Sequence, residues 1–195
     1  MRSIVLIGGS LLLAAAILPS GGAVARELGP HQHGHGRVNM ALDGSTLWIE
    51  LETPGADIVG FEHEAASAED KAAMASAKAT LSDPLSILTL PEAAGCQAQD
   101  ASVQIQAEEH HDEAHEEAEQ DGDHDDEDEQ AQGQHSEFHV EYRLVCAQPD
   151  EITTIGFPYF DLFAGAKELD VTLLSDRGQS HYEVTAAAPS MDLGD

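Results

Sequence analysis

The sequence predicts an α+β fold: an antiparallel sheet of about six short strands, helices packed on one face, and a long acidic loop at a hairpin tip. Three observations predict it. Several short segments alternate apolar with polar residues at the strand period of two. Two pairs of these segments read as hairpins, one across a tight Asp43-Gly44 turn and one across the acidic stretch. The helical patterns are few, so the strand count dominates.

Residues 1–25 read as a secretory signal peptide. Arg2 is the positive start, Ile4 to Leu18 the apolar stretch, and Ala23-Val24-Ala25 a small-residue cleavage site. A retained anchor is the weaker reading, because the apolar run falls short of the ~20 residues a span needs and Pro19-Ser20-Gly21-Gly22 follow it. No later stretch is apolar enough for membrane insertion. Cleavage leaves 170 residues (195 less 25), residues 26–195, enough for one domain with its own core. Removing Arg2 moves the formal charge from −29 to −30, which argues against nucleic acid or an anionic membrane as partner.

The mature chain would begin at Arg26, and His31-Gln32-His33-Gly34-His35 follows close behind. If that backbone is extended, alternate histidines project to one side and can chelate one ion. A histidine-rich terminus that binds metal without fixed geometry is the plainer alternative. Val38, Met40 and Leu42 then alternate with polar or small residues, and Leu47, Ile49 and Leu51 repeat the pattern beyond Asp43-Gly44, with Trp48 on the opposite face. After Pro54-Gly55, His63 lies between two acids in Glu62-His63-Glu64. This segment is the candidate for completing the metal site, set against a surface histidine in a polar loop.

Ser67-Ala68-Glu69-Asp70 resembles a capping box, and alanine-rich Lys71 to Leu81 follows as a helix. Asp83-Pro84 stops it and starts a second short helix, Pro84 to Leu90, with Leu85 and Leu88 inward. Ser102 to Ala107 pairs with Glu137 to Cys146; matching Val103 with Val140 and Ile105 with Phe138 puts both apolar sets on one face. Beyond them come strands at Ile152 to Phe157, Leu169 to Ser175 and Ser180 to Ala187, with Tyr159, Phe160 and Phe163 as core. Two cysteines in an exported chain read most simply as one disulfide, and Cys96 and Cys146 flank the acidic segment. A metal-binding or catalytic thiol pair is the rival, without Cys-x-x-Cys support.

Between the paired strands, Glu108 to Glu129 holds 14 Asp or Glu and four His (His110, His111, His115, His124), with no lysine, arginine or bulky apolar residue. No core can offset its ordering entropy, so the loop, 108–135 in all, is expected to be disordered without metal. Acid alone would make it a solvated loop. The interleaved imidazoles shift the balance to transition metals, zinc, nickel or copper, and no calcium-binding loop signature is present. Glu62, Glu64, His135 and His139 are further candidate ligands.

The order of His-x-His-Gly, Leu47-x-Ile49-x-Leu51-x-x-Pro54, Gly60-Phe61-Glu62-His63, an alanine-rich helix, Cys96, a His/acid insertion, Cys146 and Gly178-Gln179 resembles the ZrgA-type periplasmic zinc-uptake proteins of Gram-negative bacteria. The resemblance implies zinc binding in the periplasm in support of uptake, with metal passed to a zinc-transport component. It carries His31, His33, His35 and His63 over as ligands. The insertion varies among such proteins, so its histidines are not carried over individually. The residues themselves suggest an ordered cluster near His33, His35 and His63, with the loop collecting divalent ions loosely. A copper or nickel buffer is the alternative, although methionine is too sparse for a soft Cu(I) site. A zinc hydrolase with His33 and His35 as ligands and Glu62 as base ranks lower still. No H-E-x-x-H, Gly-x-Ser-x-Gly or phosphate-cradling glycine loop is present, so no enzyme is expected.

Overall fold

The turn after Asp43 folds the first two strands onto each other: β1, His35–Asp43, pairs antiparallel with β2, Thr46–Pro54, Met40 opposite Ile49 and Val38 opposite Leu51. The computed structural model describes residues 32–108 and 135–194, the side chains of 107 and 108 excepted. From Gly36 to Met40 and from Leu47 to Leu51 every second residue is buried and those between are not, as the period of two requires. Trp48 is half exposed on the opposite face, with the Arg143 guanidinium over its ring.

The long hairpin of β3, Cys96–Glu108, and β4, His135–Cys146, continues the sheet beside β2. Its register is the one the alternation predicts, Val103 opposite Val140 and Ile105 opposite Phe138. Phe138, Val140, Tyr142 and Leu144 all point into the core. The register also sets Cys96 opposite Cys146 at one end, where they form a disulfide, and Glu108 opposite His135 at the other.

The last two strands of the sheet, β6 (Glu168–Ser175) and β7 (Gly178–Thr185), complete the order β3-β4-β2-β1-β6-β7. The sheet is antiparallel except between β1 and β6, which run parallel with Val38 beside Val171. A parallel neighbour needs a crossover, and the chain between β4 and β6 makes it across the apolar face. On that crossover β5 spans only Thr154–Gly156, shorter than the strand expected at Ile152 to Phe157. It pairs with β8, Ser190–Asp192, in a separate two-stranded sheet.

Among the described residues four α-helices lie between these strands: α1 (Gly55–Val59), α2 (Ala68–Leu81), α3 (Pro84–Ile87) and α4 (Tyr159–Leu162). The helix expected over Pro84 to Leu90 stops at Ile87, with Pro84, Ile87 and Leu88 buried; Leu85 is 47% exposed, because Leu88 is already extended and the shared face that a helix gives residues three apart no longer joins 85 to 88. Tyr142 donates to the Leu81 carbonyl at 2.5 Å and so ties β4 to the end of α2.

Ser67 caps α2 as expected. Its Oγ accepts from Asp70 N at 3.0 Å, and the Asp70 carboxylate accepts from Ser67 N at 3.1 Å. Only Ala77 and Leu81 of this helix are fully buried, so the cap matters more than usual. Ser67→Ala is expected to lower unfolding free energy by about 1 kcal/mol, measured by urea denaturation.

Candidate metal centre

Three separated pieces of chain meet beside the start of β4. After Pro54 ends β2, Gly55 opens α1, and this glycine is required by a close approach: a Cβ there would lie 2.2 Å from Ser136 Oγ and 3.0 Å from the Ser136 carbonyl. α1 therefore presses directly on the residue that follows His135. The helix ends at Gly60, whose φ of 84° turns the chain while its N–H bonds to the Ala56 carbonyl at 3.1 Å. That turn delivers Phe61 and Glu62 to the same corner. The third piece is the turn before β1, where His35 N donates to the Gln32 carbonyl at 3.0 Å and His33 projects from the bend.

Glu62 is the hub of the site. Its Oε1 lies 2.9 Å from His33 Nε2, and its Oε2 accepts from His135 Nδ1. One ligand atom from each of the three falls within 4.8 Å of the others, the one such group among the described residues. The carboxylate side chain is 12% exposed, whereas the imidazoles of His33 and His135 are 60% and 44% exposed, so the group opens to solvent through its histidines. Burial alone would raise the Glu62 carboxyl. The hydrogen bonds and positive charge of His135 and His33 outweigh it and hold the group below the usual carboxylate range. Two imidazoles and one ionised carboxylate suit zinc, and three protein ligands leave a fourth tetrahedral position for water or an incoming group.

His35 does not share this site. The bend at His33-Gly34 breaks the strand period, since β1 begins only at His35, and the two side chains diverge. His35 Nδ1 sits 3.5 Å from Glu168 Oε1 on the neighbouring parallel strand. His63 also turns aside: its ring stacks on Phe61 at 4.7 Å between centroids, and its Nδ1 lies 3.2 Å from the Glu64 carbonyl oxygen. His139 stands between two carboxylates, Nε2 at 2.6 Å from Glu137 and Nδ1 at 3.9 Å from Glu52, which also accepts from Arg37 at 2.8 Å. Its two nitrogens point to different acids and do not converge on one ion. Residues 1–25, His31, and His110, His111, His115 and His124 lie outside the described residues.

Sequence reasoning missed one residue of this corner, Asp57. It is 3% exposed, and its Oδ1 accepts from Gly34 N at 2.7 Å. The available signal was a single acid in the otherwise apolar Gly55-Ala56-Asp57-Ile58-Val59.

Among the described residues no helix is long and apolar enough to cross a membrane. A family model described as ZrgA family zinc uptake protein matches residues 30–193. No curated protein matches the chain.

Proposed function

The chain belongs to the ZrgA family of zinc uptake proteins, and from that premise we propose that it captures zinc in the periplasm as cargo, holding it at His33, Glu62 and His135 and passing it to a zinc-transport component. The observation that carries this reading is the convergence of two solvent-open imidazoles on one half-buried, ionised carboxylate. The segment 109–134, rich in carboxylates and carrying four histidines, supplies additional weak ligands and so capacity. The signal-like residues 1–25 and the Cys96–Cys146 disulfide support an oxidising, exported setting. The role is binding, not catalysis.

A deletion of residues 109–134 separates the ordered site from the weak ones, and it spares His135, which a cut from 108 to 135 would remove. Zinc titration against a chromophoric chelator is expected to show one tight ion in wild type and deletion alike, with further weak binding in wild type only. Loss of the tight ion on deletion would place high affinity in the segment and overturn the ordered site.

Proton competition gives a second expectation. Imidazole ligates only when neutral, and the free side chain takes up a proton below about pH 6.5. Glu62, held below the usual range, stays ionised through the same interval, so its charge does not change as the imidazoles protonate. Apparent zinc affinity is therefore expected to fall at least tenfold between pH 7.5 and 5.5, with proton release visible as buffer-dependent heat in calorimetry. Equal affinity at both values would count against imidazole ligation.

A further inference from the structure

Asp57 is buried at the back of the same corner. One carboxylate oxygen accepts from Gly34 N at 2.7 Å; the other, Oδ2, is buried with no hydrogen-bond partner among the described residues. Anchoring the Gly34 N–H does not call for an acid, since a neutral asparagine offers the same acceptor without a buried charge. A buried, half-satisfied carboxylate destabilises the fold. Its retention needs something to offset that, and a cation held close by would do so.

We propose, resting on the reading of His33, Glu62 and His135 as the zinc site, that Asp57 is a positioning residue for that site: it fixes the His33 turn through Gly34 and lends a buried negative charge to the bound dication. The turn is clamped from both sides. Gly34 N is held by Asp57, and the Gly34 carbonyl accepts from Lys167 N and Glu168 N, each at 2.9 Å. His33, adjacent to this clamp, therefore has its backbone set before metal arrives, which is the function of outer-shell partners in metal sites. Electrostatics agree in direction. Burial dominates and holds the Asp57 carboxyl above its ordinary range, while the Gly34 N–H and the positive charges of His33 and His35 pull it down and the charge of Glu62 raises it. Asp57 thus feels the charges of the cluster, and a dication seated there would feel Asp57.

The test compares Asp57→Asn with wild type in the full mature protein, reading zinc affinity by chelator competition and apo stability by urea unfolding in EDTA. Because the asparagine oxygen still accepts from Gly34 and the buried charge is gone, apo stability is expected to match or exceed wild type. Zinc Kd is expected to rise about tenfold, within the range known for outer-shell changes, with the d–d spectrum of bound Co(II) unaltered. Asp57→Ser repeats the comparison with a smaller neutral acceptor, should the asparagine variant fail to fold. A purely structural Asp57 predicts the reverse, lower apo stability with wild-type Kd in the folded protein, and that result overturns the proposal. His33→Ala separates the two layers. If it leaves Kd unchanged, the site itself is wrong and Asp57 falls with it. If it weakens zinc while both Asp57 variants bind as wild type, only the role of Asp57 is overturned.

Discussion

Glu62→Ala is expected to weaken zinc binding by at least a hundredfold, the largest effect of any single substitution in the protein. Outer-shell partners alone are typically worth about 10- to 100-fold in metal affinity, so a ligand that also organises the other two should exceed that range. Glu62 does both. Its two oxygens engage His33 and His135, so removing the carboxylate deletes a donor and frees both imidazoles to leave the corner. His33→Ala and His135→Ala remove one donor each and should rank just below it. His35→Ala and His63→Ala should change affinity less than about threefold, below the outer-shell range, because His35 faces Glu168 and His63 stacks on Phe61. Chelator competition on the five variants checks the order. Equal losses at His35 or His63 would mean that metal draws the chain into another arrangement.

Most of the sheet was legible because burial on one face leaves a clear alternation. Val38, Met40, Leu47, Ile49 and Leu51, and the β4 set beginning at Phe138, could be placed on one face without coordinates, and the Val103–Val140 register followed. The parallel contact of β1 with β6 was not legible, since alternation says which face a strand buries and nothing about which neighbour it takes. Chemistry was read less well than architecture. His33 and His35 look equivalent as a repeat, yet one backbone turn sends them to different carboxylates. His135 and Glu62 are 73 residues apart and meet only because Gly55 allows α1 to touch the start of β4. Asp57 was overlooked for a related reason: its partner is a backbone N–H, which leaves no mark in a sequence.

Replacing Cys96 and Cys146 together with serine is expected to remove about 4 kcal/mol of stability, the loop-closure entropy for their separation of 50 residues. For a domain of this size that corresponds to a fall in Tm of roughly 8–16 °C. The bond joins one end of the β3–β4 hairpin, and at the other end residues 109–134 separate the two strands in sequence. Without the crosslink, the unfolded chain must close β3 onto β4 across that whole insertion. Zinc affinity of the folded protein should change little, because β4 sets Cys146 and His135 at opposite ends of a twelve-residue strand. The insertion also sets the size of the effect. Deleting 109–134 removes about half of the separation of 50, and each halving of a loop is worth about 0.6 kcal/mol. The cysteine-to-serine change should therefore be milder by about that amount in the deletion background, a difference that paired urea titrations can resolve. An equal effect in both backgrounds would mean that the disulfide acts on the native state, through strain or packing, and not on the reach of the unfolded chain.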